Sequence, residues 1–390
     1  MRTVRLVAAL VLAAGFTLAL PTTAHADQTR DSQWYLNSLH VTDAQKFAQG
    51  KGVTIGFIGG TVDATHPDLA DAVASTHDFG ASEQDNAEQS GTGPASVLAG
   101  RGHGGDKGVL GVAPKAQLAL AFVDTGQEDL GRRGVEIAQA MQYLLDQHVD
   151  LIVVTVPAPS DNTGNVQKLT DQAYNDDVPV ISASGDHASG VSPNEAYFPA
   201  SSRHAIPAVG ATKDGKFWPR SVPPTPDGAD ERSQPLTLAA PAAGIVSARA
   251  NGKYGTADGT AFAAALTAGT FALVKSRWPD VTWDEIVGHV IGAASNGNKY
   301  DDKLGHGVVD PCKALGSAFG SHKTVGREGK CVPTADGDAA VGGPSAHRDN
   351  TVLASAIGLI GVAGLAALVL AVRVRDRRGS SRTATNQARP

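Results

Sequence analysis

The chain has few cysteines and little charge, and each scarcity excludes a class of protein. Two cysteines in 390 residues cannot build the disulfide mesh of a small secreted scaffold or a four-cysteine zinc site. Acidic residues outnumber basic ones by 39 to 33, a formal net charge of −6, so we expect no nucleic-acid partner. Charged residues make up 18% and hydrophobic residues 42%, which indicates a sizeable buried core rather than a disordered chain.

Residues 1–26 have the three parts of a secretory signal peptide. Arg2 and Arg5 form a basic start, and Leu6–Leu20 is an apolar run too short to span a bilayer comfortably. Ala24-His25-Ala26 then supplies the small residues that a signal peptidase needs. The sequence therefore predicts export of everything that follows.

A second apolar segment lies near the other end of the chain. Residues 351–372 carry no charge and are long enough to cross a bilayer as one helix, apolar on every face. Four arginines open the segment 373–390, and the positive-inside rule keeps such a cluster cytoplasmic. Residues 332–350 are small, polar and rich in glycine and proline, as is typical of a linker. We predict a single-pass protein of the cell membrane, with its domain (27–331) extracytoplasmic and its C-terminus cytoplasmic.

Export would place the two cysteines where a disulfide can form. Cys312 and Cys331 are the only pair available in an oxidising space. They would close a loop of about 20 residues, worth on the order of 3 kcal/mol in the loop-entropy model. Their spacing is far from the Cys-x-x-Cys of redox sites. We predict one structural disulfide at the end of the domain.

Strand-like and helix-like patterns alternate through the domain. Residues 132–149 place apolar side chains on one helical face, and further helices begin at Thr260 and at Thr282, where Glu285 completes a capping box. The alternation predicts an α/β fold with a mainly parallel sheet, and no internal repeat is evident. The predicted strands are Val53–Ile58, Leu118–Val123, Leu151–Val156, Val178–Ser182 and Ala205–Val209.

Six sequence blocks stand in the order and spacing of a known family. They are VTIGFIGGTVDATHPDL (53–69), QSGTGPASVLAG (89–100), GVLGVAPKAQ (108–117), VPVISASGD (178–186), FPASSRHAIPAVGATKDGK (198–216) and DGTAFAAALTAG (258–269). They resemble the subtilisin-like serine peptidases, which implies the subtilisin-like three-layer α/β fold. The segment Asp31–Lys46, the loop 100–114 and the signal-plus-anchor layout are similar to the mycosins, membrane-anchored subtilases associated with type VII secretion in actinobacteria.

The catalytic positions that the resemblance implies are all substituted. A subtilase needs an Asp to orient a His, the His to take a proton from a Ser, and an Asn to stabilise the oxyanion. Those Asp, His, oxyanion Asn and Ser positions are occupied by Gly59, Ser90, Asp186 and Ala261. A carboxylate at Asp186 would also repel a developing oxyanion.

Two other residues are candidate replacements for the missing Asp and His. Asp63 follows Gly59 by four residues, and His103 lies in a glycine-rich loop 13 residues after Ser90. Both are displaced from the positions that the mechanism requires, and the chain has no Gly-x-Ser-x-Gly nucleophile elbow.

The groove that would hold a peptide is also altered. The family pairs substrate with a segment ending like Ser-Leu-Gly, and the matching residues here are Thr155, Val156 and Pro157. Proline has no N–H to donate, so at least one contact with a peptide backbone is lost.

These observations favour a catalytically inactive pseudoprotease that acts through protein contacts. The resemblance implies type VII secretion components or an active mycosin as partners. An active serine endopeptidase with a non-standard constellation, and a peptide-binding receptor, remain alternatives. We expect no cofactor and no metal site, with structural calcium left open, because the histidines lack tight metal-ligand spacing; they are His77, His187, His204, His289, His306 and His322.

Overall fold

The computed structural model describes part of the chain. The described residues are 29–81, 91–125, 130–158, 164–187, 197–223, 236–297 and 299–316. They belong to the first of two compact units, residues 1–339. Among them, no helix is both long and apolar enough to cross a membrane. The predicted signal peptide, linker, membrane span and basic tail lie outside the described residues and stay predictions.

A parallel sheet of seven strands organises the described domain. The strands are β1 (Thr54–Gly59), β2 (Val73–Asp78), β5 (Gln117–Phe122), β6 (Leu151–Val154), β7 (Val180–Ala183), β8 (Ala205–Ala211) and β9 (Leu238–Pro241). Their order in the sheet is β2-β5-β1-β6-β7-β8-β9, and every neighbouring pair is parallel. The α/β fold with a mainly parallel sheet, predicted from the alternating pattern, is therefore confirmed.

Helices and two short hairpins surround this sheet. The antiparallel hairpins pair β3 (Arg101–His103) with β4 (Lys107–Leu110) and β10 (Ile245–Arg249) with β11 (Lys253–Ala257). The helices are α1 (Trp34–Ser38), α2 (Val41–Ala44), α3 (Thr92–Ala99), α4 (Leu130–Asp146), α5 (Asn165–Asn175), α6 (Thr260–Arg277), α7 (Trp283–Ala293) and α8 (Pro311–Gly316).

Alternate residues along the strands build a core on each face of the sheet. Ile55 and Phe57 of β1 pack in the larger core, with α3, α6 and α7. Ile58 of the same strand packs in the other core, with α4 and α5. Because side chains in a strand point alternately to opposite faces, one buried strand serves both cores and its residues are apolar throughout. The result is three layers, helix on sheet on helix.

The sequence located five of the seven strands and the starts of α4, α6 and α7 to within a few residues, whereas β2 and β9 were not predicted and one helix end was wrong. The predicted helix over 132–149 ends at Asp146 as α4, and His148 adopts a left-handed backbone with φ of 54°. The chain must turn there because Asp150 Oδ2 already accepts the backbone N–H of Thr54 and β6 starts at Leu151. The helical spacing of apolar residues continues to Val149, but the backbone must change direction before that residue to enter β6.

Candidate functional site

Three of the four positions that the family resemblance assigns to catalysis lie at one edge of the sheet. Parallel strands end together, and ligands of open α/β sheets bind outside these carboxyl ends. Gly59 ends β1, and Asp186 follows the end of β7. A Cβ atom on Gly91, just before α3, would overlap the Gly60 carbonyl. One on Gly93 would lie 3.2 Å from the Phe262 ring, so the starts of α3 and α6 meet beside the end of β1. Ser90 immediately precedes this junction but lies outside the described residues.

The position of the family aspartate is closed by a neighbouring side chain. Gly59 is buried, and a Cβ atom there would overlap the Thr155 hydroxyl and lie 3.0 Å from the Phe57 ring. Thr155 is held in place because its Oγ1 donates to the Ile58 carbonyl at 3.0 Å. The packing therefore fits a glycine at position 59, because Thr155 occupies the space that the Cβ atom of an aspartate would need.

The start of α6, where the nucleophile would lie, receives a carboxylate from a distant loop. The residue before the helix, Gly259, has a φ of 148° and offers no side chain as a cap. Asp186 Oδ1 instead accepts the backbone N–H of Thr260 at 2.9 Å. The Thr260 hydroxyl in turn accepts the N–H of Gly185 at 3.2 Å. A carboxylate is favoured at this end of a helix, because the first N–H groups have no partner within the helix and the helix dipole is positive there.

The electrostatics at Asp186 oppose stabilisation of an oxyanion. Burial raises the pKa of the Asp186 carboxyl, while hydrogen bonds from Thr260 and the Arg220 charge lower it, and the net direction is upward. When ionised, the carboxylate only accepts hydrogen bonds, whereas an oxyanion requires donors. Asp186 therefore occupies the first backbone donor of α6. Ala261, the second residue of α6, contributes only a methyl group.

Asp63, the first candidate replacement, is occupied by turn contacts. Its Oδ1 accepts the backbone N–H and the hydroxyl of Thr65, at 3.0 and 2.6 Å. Its Oδ2 accepts the N–H of Asn251 in the turn between β10 and β11, at 2.9 Å. Burial raises the pKa of Asp63, but these hydrogen bonds lower it further, so the net direction is downward. The carboxylate fastens two loops and has no histidine to orient among these partners.

His103, the second candidate, pairs with a carboxylate that the sequence did not point to. His103 Nδ1 lies 2.7 Å from Oδ1 of the fully buried Asp68, whose Oδ2 accepts the Val109 N–H at 2.7 Å. The Tyr254 hydroxyl lies 3.4 Å from the same histidine nitrogen. Among the described residues no serine or threonine hydroxyl is hydrogen-bonded to this ring. The pair fastens the β3–β4 hairpin to the turn after β1 and lacks the nucleophile that a triad requires.

The groove residues continue beyond β6 without forming part of the strand. Thr155 and Pro157 are buried and Val156 is half-buried. Ala158 pairs with Phe198 through two backbone hydrogen bonds, at 2.9 and 2.7 Å. This segment is therefore tied to the loop before β8 rather than presented as a free edge.

The predicted disulfide joins a described residue to one that is not. Cys312 is buried at the start of α8. Cys331 lies outside the described residues, so the bond stays a prediction. His322 also lies outside, whereas the ring of His289 is half-buried with Nε2 2.7 Å from the Ala314 carbonyl.

Three contacts at this edge were missed in the sequence. They are Thr155 beside Gly59, Asp186 with Thr260, and Asp68 with His103. The partners are separated by 96, 74 and 35 positions, so no local pattern joins them. Of these residues only Asp68 is a fully buried carboxylate, a group that requires a partner.

Comparison with known proteins places these features in a family. The sequence model described as the subtilase family matches residues 50–307. Mycosin-1 of Mycobacterium tuberculosis is 28% identical over 342 residues, covering 76% of each chain. The major intracellular serine protease of Bacillus subtilis is 29% identical over 238 residues, covering 59% of this chain and 70% of that protein.

Solved structures agree on the fold. The crystal structure of MycP1 with its N-terminal propeptide removed has a TM-score of 0.61 and 23% identity, covering 74% of this chain and 99% of that one. MycP3, a protease from the type VII (ESX-3) secretion system, has a TM-score of 0.56 and 21% identity, covering 72% and 87%. The family match spans most of the chain and coincides with the sheet and the substituted edge described above, and the chain therefore belongs to the subtilase family.

Proposed function

We propose that this protein is a membrane-anchored, extracytoplasmic member of the subtilase family that acts through protein contacts and has no peptidase activity. The observation that carries the proposal is the internal occupation of the catalytic edge. Thr155 fills the space beside Gly59, and the Asp186 carboxylate takes a donor at the start of α6. Substitution of a catalytic residue alone would leave an open site. Here Thr155 occupies the space beside Gly59, and Asp186 accepts the hydrogen bond that the first N–H of α6 can donate.

Three separate losses oppose hydrolysis. Ala261 has no nucleophilic atom, Gly59 has no group to orient a base, and Asp186 presents negative charge where charge would develop. In subtilisin, loss of the serine or histidine lowers turnover by about 10⁶, and the residual activity comes from binding and the oxyanion hole. Loss of one oxyanion donor lowers turnover by a further factor of about 10² to 10³. Because both sources are altered here, no measurable turnover is expected.

The proposed location depends on the ends of the chain. Residues 1–26 have the pattern of a cleaved signal, 351–372 that of a membrane span and 373–390 that of a cytoplasmic basic tail. The linker 332–350 would connect the span to the domain, and the Cys312–Cys331 disulfide would close the domain beside it.

The proposed partners follow from similarity to mycosin-1 and to MycP1 and MycP3, which come from the ESX-1 and ESX-3 type VII secretion systems. Fold similarity does not carry activity with it, because function depends on the residues of the site. We propose that the domain contacts components of such a machine, or an active mycosin, outside the cytosol.

Activity-based labelling tests the absence of catalysis. The full chain, extracted from membranes in mild detergent, is treated with a fluorophosphonate and with fluorescent casein, and a subtilisin serves as the positive control. We expect no labelled residue and no cleavage. Covalent labelling at a defined residue, lost when that residue is substituted, would show an active enzyme with a different constellation.

Topology and partners need a separate measurement. In wall-stripped intact cells, external protease should digest the domain and leave a tag after Pro390 intact. Photo-crosslinking from exposed positions of the domain should then yield adducts with secretion-system proteins or a mycosin. Digestion of the tag would overturn the membrane orientation, and adducts with short peptides alone would favour a peptide receptor.

A further inference from the structure

A groove lies at the end of the sheet opposite the substituted catalytic edge. It runs between the last turn of α5 and the first turns of α7, over the starts of β7, β8 and β9, and we call it the α5–α7 groove. Val178 and Pro179 line it just before β7 begins, whereas Asp186 lies beyond the end of that strand. The groove is therefore separated from the catalytic edge by the length of the parallel strands.

An exposed aromatic platform forms one wall of the groove. Tyr174 is 44% exposed, one of two large hydrophobic side chains that are exposed among the described residues. Its ring stacks on the His204 ring, with centroids 4.1 Å apart and planes within 10°. His204 has a left-handed backbone with φ of 68°, and its Nδ1 lies 3.0 Å from Asp171 Oδ1. The platform is thus oriented before any ligand arrives, which lowers the entropy cost of binding.

Negative charge lies beside this platform. Asp284, exposed in the first turn of α7, has a carboxylate oxygen 3.5 Å from the Tyr174 hydroxyl. Asp177 also lines the groove and accepts the Trp283 N–H at 3.1 Å. No lysine or arginine is among the lining residues of this described pocket. Lys275 lies over the Trp283 ring at 5.1 Å, but its ammonium donates to the Val281 carbonyl and is not part of the lining.

The remaining lining is apolar and suits an aliphatic stem. Ile206 and Trp283 are buried at its base, and Leu236 and Val287 are half-buried along it. A ligand that fits this surface needs an apolar stem, a planar cationic head and donors for a carboxylate. An arginine side chain has all three, since its guanidinium stacks on aromatic rings and pairs with carboxylates.

We propose that the α5–α7 groove binds an arginine side chain presented by a partner protein. The guanidinium stacks on Tyr174 and donates to Asp284, while the methylene stem packs against Leu236 and Val287. This inference goes beyond the proposed lack of catalysis and does not depend on it, because none of these residues lies at the catalytic edge. It assigns a specific surface to the protein contacts through which the domain would act.

Paired peptides that differ only in charge test the groove. The full chain in detergent is titrated with fluorescein-labelled Gly-Ala-Leu-Arg-Ala-Gly and with the same peptide carrying citrulline, which keeps the shape and removes the charge. Fluorescence anisotropy reports binding. We expect the citrulline peptide to bind about fivefold or more weakly, the scale of a partly desolvated cation–π contact.

Three variants localise the contact. Asp284→Asn and Tyr174→Leu should each weaken binding of the arginine peptide about fivefold and make the two peptides nearly equal. Asp146→Asn alters an exposed carboxyl on α4, outside the groove, and should leave binding unchanged. Equal thermal midpoints confirm that the variants are folded. Equal binding of both peptides to the parent chain, no binding at millimolar peptide, or equal losses in Asp146→Asn and Asp284→Asn would overturn the proposal, whatever the outcome of the peptidase assay.

Discussion

Two helices of this domain begin in contrasting ways. The helix α7 carries its own capping box: the Thr282 hydroxyl accepts the Glu285 N–H, and the Glu285 carboxylate accepts the Thr282 N–H. The helix α6 follows Gly259 and has no local side-chain cap, so its first N–H bonds to Asp186 on a loop 74 positions earlier. Both arrangements satisfy helix-terminal donors. Only the capping box of α7 is formed by residues close together in the sequence. It was therefore predicted, whereas the contact of α6 with Asp186 was not.

The contrast extends to function. The start of α6 is the place where a subtilase presents its nucleophile, and the start of α7 lines the proposed arginine groove at the other end of the sheet. A donor at the first site is available to a substrate only when the protein leaves it free. Here the fold uses it internally, together with the space beside Gly59.

The largest effect is expected from returning an aspartate to the end of β1. Gly59→Asp places a Cβ atom into the Thr155 hydroxyl and a carboxylate into a buried site, so unfolding free energy should fall by about 3 kcal/mol. Thr155→Ala added to it should recover part of that loss, although it removes the hydroxyl bond to Ile58. Chemical unfolding of both single variants and the double variant measures the coupling. Simple additivity of the two losses would contradict the packing argument.

A smaller effect should separate the two helix starts. Asp186→Ala leaves the Thr260 N–H without its acceptor and should cost about 1 to 2 kcal/mol, and Thr282→Ala should cost about 1 kcal/mol. Hydrogen exchange of peptides covering the two starts assigns each loss to its own helix. Faster exchange at the start of α7 in Asp186→Ala, with no change at α6, would contradict the assignment.

The pH dependence of stability sharpens the same contrast. Burial raises the Asp186 pKa above its ordinary 3.8, so the folded chain holds this proton more tightly than the unfolded chain. Stability from this group therefore falls as pH rises from 3.8 through the raised pKa. Asp186→Asn keeps an oxygen acceptor but cannot ionise, so its stability relative to the parent should increase over that window. Thermal midpoints of the parent and of Asp186→Asn, measured across this pH window with Asp146→Asn as the exposed control, test the prediction. A decrease in the stability of Asp186→Asn relative to the parent as pH rises would contradict it.

The smallest change is expected from restoring the serine alone. Ala261→Ser introduces a hydroxyl at the start of α6 without a base or an oriented donor, so no gain in fluorophosphonate labelling or casein cleavage is expected. The test compares this variant with one that also carries Gly59→Asp, Thr155→Ala, Ser90→His and Asp186→Asn. Labelling of Ala261→Ser at its new serine would show that a base is already present.

Most of the sheet could be anticipated from sequence because its strands are buried on both faces. The apolar runs around Ile55, Leu118 and Val153 need no partner to be recognised, since a strand covered on both sides is apolar throughout. The capping box at Thr282 was equally local. The end of α4 was misjudged because periodicity continued to Val149, while the backbone reverses at His148 to enter β6.

The sequence by itself determined the alternation of strands and helices, the family blocks and the chemical identity of the substitutions, because each depends on residues close together in the chain or on residue type alone. Only the tertiary structure decided what those substitutions became. In the fold, Thr155 packs against Gly59 and Asp186 binds the start of α6. His103 pairs with Asp68, and the Tyr174 hydroxyl contacts Asp284 on another helix. The physical reason is that packing and hydrogen bonding act over a few ångströms in space, whatever the distance along the chain.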